Sequence, residues 1–202
     1  MDEAAFSAVL RQLPGGFLRH LIATSTTIRI IHTSLFVFFY YLTIGLLLAV
    51  LPGFIHLHLG LSPFWAGVAI SSQYLATLAT RSNAGRMADV LGPRVTVLVG
   101  QAVGLLSGLC LIVAASLQSK AVACFVVLLI SRLILGCGES CVATGAITWG
   151  LGRVDATDAA QVISWSGIAS YGAMAAGPLL VFGLKPGMGL NQLVQPPRDY
   201  RC

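Results

Sequence analysis

The chain has 202 residues, of which 56% are hydrophobic and only 9% are charged, and its formal net charge is +5. Soluble domains carry about a quarter charged residues, and disordered chains are poor in apolar residues, so both classes are excluded. Five cysteines are too few for a small disulfide-rich secreted module of this length. The mean hydropathy of +0.86 agrees with the class that remains, an integral membrane protein.

Five stretches are long and apolar enough to cross a bilayer as helices, since a span needs about 20 residues. They cover about residues 30–51, 63–80, 95–116, 121–151 and 160–182. The ~10-residue alternating segments of a transmembrane barrel do not occur. Because the connections are short, neighbouring spans run antiparallel. We therefore predict an all-α transmembrane bundle of about five helices over 30–182.

Positive charges cluster at one end of the predicted spans. Seven arginines lie in the N-terminal segment, the second loop and the fourth loop, against one lysine in the outer loops: Arg11, Arg19, Arg29, Arg81, Arg86, Arg94, Arg153 and Lys120. Because basic residues near span ends stay on the cytoplasmic side, we predict that the N-terminal segment 1–29 is cytoplasmic. No nucleic-acid partner is expected, since no aromatic residues interleave with these charges.

The polar tail, 183–202, departs from this charge rule. Lys185, Arg198 and Arg201 would lie on the outer side, and no run in the tail could form a sixth span. We expect the chain to be truncated here or read out of frame.

Arg132 and Glu139 lie inside the fourth predicted span, where a charged side chain costs about 2.5–3.5 kcal/mol. They are two helical turns apart, so both project from one face at a distance of about 10 Å along the axis. That separation is too long for a direct ion pair. Two ionisable groups facing a cavity suit substrate binding or proton relay. The alternative is a structural anchor to neighbouring helices or bound water.

The second loop, 81–94, contains Gly85, Ala88, Asp89, Gly92 and Arg94. Its glycines and the following proline predict a tight cytoplasmic hairpin. A carboxylate at a helix end can bind the positive N-terminus of another helix and so act as an electrostatic latch. An ordinary charged turn is the alternative.

Small residues mark two expected sites of close packing or bending. Gly100, Gly104 and Gly108 recur every four residues in the third span, which predicts the close approach of a partner helix. In the fifth span, Pro178 follows Gly177 and lacks a backbone donor. We expect it to kink or end that helix near the outer face.

Other polar side chains carry weaker signals. His56 and His58 are two potential metal ligands, which do not complete a site. Trp149 and Trp165 are typical of an interfacial aromatic belt. Core packing is favoured over a polar path for four embedded side chains: Tyr40, Tyr41, Gln73 and Tyr74. No HExxH, GxSxG or Walker A sequence occurs, so we expect no enzyme, no metal and no cofactor.

Three motifs resemble the major facilitator superfamily. Gly85-xx-Ala88-Asp89-xx-Gly92-x-Arg94 resembles the family's cytoplasmic loop motif, and Arg132-xxx-Gly136 is similar to its second motif. Ala173-xxx-Gly177-Pro178 resembles the motif of drug–proton antiporters, with alanine in place of the first glycine and Val181-Phe182 in place of the later pair. Longer strings between about Arg29 and Pro178 resemble the bacterial YhhS/YfcJ-type group.

The resemblance implies a twelve-helix secondary transporter with alternating access between two six-helix halves, of which this chain holds five helices. It also implies that the loop motif, with Asp89 and Arg94, belongs to the inner gate. Arg132 would serve proton coupling or cavity electrostatics, and Gly177-Pro178 would shape a helix bend. Glu139 has no counterpart in these motifs, so its expected role rests on its position alone.

The function expected is proton-coupled export of a small solute across the bacterial inner membrane. The expected partners are the substrate, protons, the lipid bilayer and a missing C-terminal helical half, so the chain alone should not transport. The alternative is a non-transporting membrane scaffold or subunit. The coding sequence downstream of Cys202 separates the two, since about seven further spans would favour the transporter.

Overall fold

The computed structural model describes the backbone of residues 15–154 and 156–183, and the side chains of residues 31–154, 156 and 158–183. This part of the chain forms five α-helices: α1 (Gly15–Leu57), α2 (Pro63–Val90), α3 (Pro93–Ser116), α4 (Ala121–Leu151) and α5 (Ala159–Gly183). A short 3-10 turn, Ala156–Asp158, precedes α5. The all-α prediction is confirmed. Residues 1–14 of the predicted N-terminal segment, and the predicted tail beyond Gly183, lie outside the described residues.

Four helical segments are long and apolar enough to cross a membrane: Ile31–Leu57, Pro93–Ser116, Ala121–Leu151 and Ala159–Gly183. The remaining helix, α2, has 28 residues, but it contains several serines and threonines, two arginines and one glutamine. The prediction of five long helices therefore holds, whereas only four of them reach the apolarity of a typical span. The polar side chains of α2 include those that build the site described below.

Helices α1 and α2 extend beyond the predicted spans. α1 begins at Gly15 and continues through Pro52 to Leu57. α2 continues to Val90, so most of the predicted loop 81–94 is helix and the turn contains only Leu91 and Gly92. The loop prediction was wrong because hydropathy marks where a helix leaves the apolar layer. The backbone hydrogen bonds of a helix can continue through polar residues beyond that point.

The turn between α2 and α3 depends on a glycine–proline pair. Pro93 occupies the start of α3, where its missing N–H would have had no helical acceptor. Gly92 has a φ of 90°, a conformation that is strained for a residue with a Cβ atom. The pair therefore allows α3 to begin almost immediately after α2 ends.

α4 is the central helix of the bundle. It packs against α3, α2 and α1, whereas α5 packs mainly on α1. Along α4, Leu128 belongs to one buried apolar cluster, and Leu135 and Val142 belong to another. Arg132 lies between the residues of these clusters along α4, and its side chain is buried.

Glycines allow two of the closest helix contacts. A Cβ atom on Gly100 would lie 2.8 Å from the carbonyl oxygen of Gly138, and one on Gly104 would lie 2.7 Å from the ring of Tyr40. These positions confirm the predicted close packing of α3, while Gly108 faces open space.

The second close contact joins α1 and α5. A Cβ atom on Gly177 would collide with the backbone of Gly45 and Leu46. Pro178 lies within α5, which continues to Gly183, so this proline does not end the helix. The two backbones touch because neither glycine has a side chain.

Candidate functional site

Arg132 and Glu139 lie near the middle of α4. The helix runs from Ala121 to Leu151, so each residue is at least about 16 Å from either end. In a hydrocarbon layer about 30 Å thick, both positions fall in the central region. The side chains are 1% and 5% exposed. We expected both side chains to face an open cavity, but in the structure α2 covers them.

Gln73 of α2 joins the two charged side chains. Nη1 of Arg132 donates to Oε1 of Gln73 at 3.1 Å, and Nε2 of Gln73 donates to Oε2 of Glu139 at 3.0 Å. Gln73 is 3% exposed. Its amide therefore presents an acceptor to the guanidinium and a donor to the carboxylate. Arg132 and Glu139 are therefore linked through the neutral side chain of Gln73 instead of by a direct ion pair.

Thr77 gives the Glu139 carboxyl group a second partner. The Thr77 hydroxyl lies 3.1 Å from Oε2 of Glu139 and 3.1 Å from the carbonyl oxygens of Gly136 and Gln73. A hydroxyl has one proton, so it donates to one of these acceptors at a time. It binds most strongly to a charged carboxylate. The carbonyl oxygens of Gly136 and Gln73 are its alternative acceptors.

Gly136 allows α2 to approach α4 at this point. A Cβ atom on Gly136 would collide with the carbonyl oxygen of Gln73 and would lie 3.0 Å from the Cβ atom of Ala76. One turn further, the Ser140 hydroxyl donates to the carbonyl oxygen of Thr77 at 3.0 Å. The arginine and glycine of the Arg132-xxx-Gly136 motif therefore serve the same contact. The glycine brings Gln73 close, and the arginine binds its amide.

The Arg132 guanidinium retains unused hydrogen-bonding capacity. Its Nε and Nη2 atoms are buried and have no hydrogen-bond partner among the described residues. A buried unpaired donor costs about 1–3 kcal/mol, and more when it is charged. Such groups inside membrane proteins are usually kept for a functional reason.

Four embedded polar side chains were predicted to pack in the core, and they differ in their contacts. Tyr40 fits the prediction, because it is buried and its hydroxyl donates to the carbonyl oxygen of Leu135 at 2.7 Å. Tyr41 packs against the apolar cluster that contains Leu135 and Val142, whereas Tyr74 is 44% exposed. For Gln73 the prediction was incomplete, because its amide links two charges. A signal was present in the sequence, since Gln73 interrupts a helical stripe of buried alanines on α2: Ala66, Ala69, Ala76 and Ala84.

The residues of the predicted inner gate lie at one end of the bundle. Gly85, Ala88 and Asp89 belong to the last turns of α2, where Ala88 is buried and Asp89 is exposed. Gly92 forms the turn, and Arg94 lies in the first turn of α3. The structure thus places them at a helix–turn–helix junction rather than in a loop.

Trp149 of α4 lies beside that junction. The Cζ atom of Arg94 is 5.2 Å from the centre of its ring, and the Cζ atom of Arg153 is 4.5 Å from it. Phe36 and His32 of α1 contact the same ring, with centroids 5.9 and 5.7 Å away. Trp149 of α4 therefore contacts residues of α1 and α3. An interfacial aromatic belt, the predicted role, does not require such contacts.

The two histidines considered as metal ligands have ordinary contacts at the end of α1. Nδ1 of His56 lies 3.3 Å from the carbonyl oxygen of Leu61, and the ring of His58 packs on Phe54. Within the described part of the chain, no group of three or more His, Cys, Asp or Glu residues is arranged to hold a metal ion.

The helices and the buried charged network define a multi-pass helical membrane protein. A sequence profile of the Major Facilitator Superfamily matches residues 33–184. The chain is 56% identical over 155 residues to an "uncharacterized MFS-type transporter" of Burkholderia pseudomallei (strain 1106a), and 55% identical over 155 residues to one of Burkholderia mallei (strain SAVP1). A protein of the same description from Pseudomonas aeruginosa (strain LESB58) is 49% identical over 151 residues.

The chain therefore belongs to the Major Facilitator Superfamily. The alignments cover 77%, 77% and 75% of this chain, respectively, and 38% of each relative, so the matched region spans well under half the length of these relatives. No solved structure matches it.

Proposed function

We propose that the chain is the N-terminal part of a secondary active transporter that exports a small solute across the bacterial inner membrane, coupled to protons, by alternating access. The observation that carries this proposal is the Arg132–Gln73–Glu139 network, which is buried near the middle of the membrane-spanning helix α4. Ionisable groups at this depth are costly, and those that persist are commonly part of substrate or proton pathways. Membership of a transporter superfamily supports the same conclusion.

In this proposal Glu139 is the proton-binding group. When it is charged, Gln73 and Thr77 donate hydrogen bonds to it, and its negative charge compensates Arg132 through the amide. Protonation removes that compensation and leaves a buried guanidinium with a single neutral partner. Because an uncompensated buried charge is costly, protonation favours a rearrangement of α2 against α4. This provides a physical link between proton binding and helix movement.

The junction of α2 and α3 is the proposed inner gate. Asp89 is exposed at the end of α2, where its carboxylate can bind the positive end of a helix in the remaining part of the transporter. Gly85, Ala88, Gly92 and Arg94 shape this junction. At the α1–α5 contact, Gly177 and Pro178 are proposed to set the path of α5.

The orientation belongs to the same proposal. The arginine-rich ends of the helices, including the gate junction, lie in the cytoplasm together with the N-terminus, as the positive-inside rule requires. Lys120, between α3 and α4, then lies on the outer side.

The test uses a full-length protein in which residues 33–184 of this chain replace the matching region of the Burkholderia pseudomallei relative. It is reconstituted in proteoliposomes with an internal pH dye, and a panel of small solutes is screened for solute-driven proton movement. We expect Glu139→Gln to reduce the solute-driven proton movement at least about tenfold, as is usual for a positioned proton-transfer group. The control Asp158→Asn removes a charge of the same sign near the start of α5 and should leave the proton movement unchanged. Equal behaviour of the two variants, or no response to any solute, would contradict the proposal.

A further inference from the structure

The two unpaired nitrogen atoms of Arg132 lie on the same edge of its guanidinium group. Nε and Nη2 each present an N–H in the same direction, which is the paired-donor geometry that arginine uses to bind a carboxylate. Both atoms are buried and have no hydrogen-bond partner among the described residues. The whole side chain is 1% exposed. The Nε–Nη2 edge is therefore a preformed pair of donors inside the bundle.

The third nitrogen of the guanidinium holds this edge in place. Nη1 donates to Oε1 of Gln73 at 3.1 Å, and Nε2 of the same amide donates to Oε2 of Glu139 at 3.0 Å. Since the guanidinium is planar, a hydrogen bond at Nη1 limits the rotation of the whole group. A ligand at the Nε–Nη2 edge would meet donors that are already oriented, so little side-chain entropy would be lost on binding.

The charges of the site favour a ligand with a single negative charge. Along α4, all of which the structure describes, Arg132 and Glu139 are the only charged residues. Glu139 is bound by Gln73 and Thr77 and makes no direct contact with the guanidinium. A monocarboxylate offers two coplanar oxygens to the two donors and one negative charge to one cation. A phosphate monoester dianion would bring excess negative charge close to Glu139, where burial strengthens the repulsion.

We infer that the solute carries a single carboxylate group, which binds the Nε–Nη2 edge of Arg132. This inference rests on the proposed function, because α2 covers Arg132 in the structure. The movement of α2 against α4, which the proposed function already requires, gives a solute access to the edge. The solute's carboxylate then supplies the two acceptors that the described residues do not provide.

The test compares carboxylates with their uncharged amides. It uses the full-length chimera prepared for the proton measurements, purified in mild detergent so that no proton gradient is present. The probes are lactate with lactamide and benzoate with benzamide, and their binding is measured by isothermal titration calorimetry. We expect at least one carboxylate to bind about tenfold or more tightly than its amide, because the amide lacks the charge and one of the two acceptor oxygens.

Arg132→Lys keeps the positive charge but replaces the paired donors with a single ammonium group. It should remove at least about tenfold of the carboxylate preference. The matched control is Arg86→Lys, the same change at an exposed position near the end of α2, and it should keep the preference. Arg132→Gln, which removes the buried charge altogether, provides a second variant if Arg132→Lys lowers the helical content.

Equal affinities for each carboxylate and its amide, or equal effects of Arg132→Lys and Arg86→Lys, would overturn the inference. Tighter binding of phenyl phosphate than of benzoate would overturn the carboxylate assignment. These outcomes are separate from a failure of the proposed function, which is tested at Glu139 by proton movement in vesicles and not by binding in detergent.

Discussion

Replacement of Gln73 by leucine tests the central contact of the site. The side chain keeps a similar volume but loses both amide groups, so Nη1 of Arg132 loses its acceptor and Oε2 of Glu139 loses one of its donors. Because Nε and Nη2 of Arg132 already lack partners, the guanidinium would then have no hydrogen-bond acceptor among the described residues.

The size of the effect depends on which of two precedents applies. Hydrogen bonds between neutral side chains in membrane proteins average about 0.6 kcal/mol, because separated helices find other partners. Leaving a buried polar group without its hydrogen-bond partner costs about 1–3 kcal/mol, and more when that group is charged. Arg132 is 1% exposed and has no second acceptor available, so the second precedent applies. We expect Gln73→Leu to lower the free energy of unfolding by about 3 kcal/mol, which is about a hundredfold in the equilibrium constant.

The measurement is a titration of the full chain from mild detergent into dodecyl sulfate, followed by far-ultraviolet circular dichroism. Gln101→Leu is the matched control, because Nε2 of Gln101 donates to a neutral acceptor, the carbonyl oxygen of Phe36, at 2.9 Å. It should cost about 1 kcal/mol. The triple variant Gln73→Leu with Arg132→Met and Glu139→Leu removes the whole network and should recover most of the lost stability. Equal losses for the two glutamines, or a triple variant less stable than Gln73→Leu, would refute the reasoning.

Three further predictions follow from the packing, the charge distribution and the length of the chain. Gly136→Ala should lower the free energy of unfolding by about 1–3 kcal/mol, because the new methyl group collides with the α2 backbone. In the same titration, Gly108→Ala, in open space, should change it by less than about 0.5 kcal/mol, so equal losses would argue against this contact. In a variant without native cysteines, a cysteine at Ser119 should react with an impermeant thiol reagent outside intact cells, and one at Ser82 only after lysis; the reverse order would invert the proposed topology. The chain alone, reconstituted in vesicles, should accumulate no solute of the panel above an Arg132→Ala control, and uptake above that level would show that the fragment suffices.

Local sequence patterns were sufficient where a property depends on neighbouring residues along the chain. The bounds predicted for the fourth span coincide with α4, because an apolar run long enough to span a bilayer satisfies all its backbone hydrogen bonds within one helix. The same reasoning failed at 81–90, where the residues are too polar to mark a span and still continue α2. Glycine spacing predicted close packing at Gly100 and Gly104, but it could not show that Gly108 faces open space.

The sequence by itself determined that this protein is a bundle of membrane helices with two ionisable groups on one face of α4, since composition and helical period are properties of single segments. Only the tertiary structure decided what those groups contact. Gln73 lies 59 residues before Arg132 and 66 before Glu139, and no local pattern encodes which helix packs against α4. That choice depends on where two backbones can approach, and Gly136 permits the approach on the side that faces Gln73.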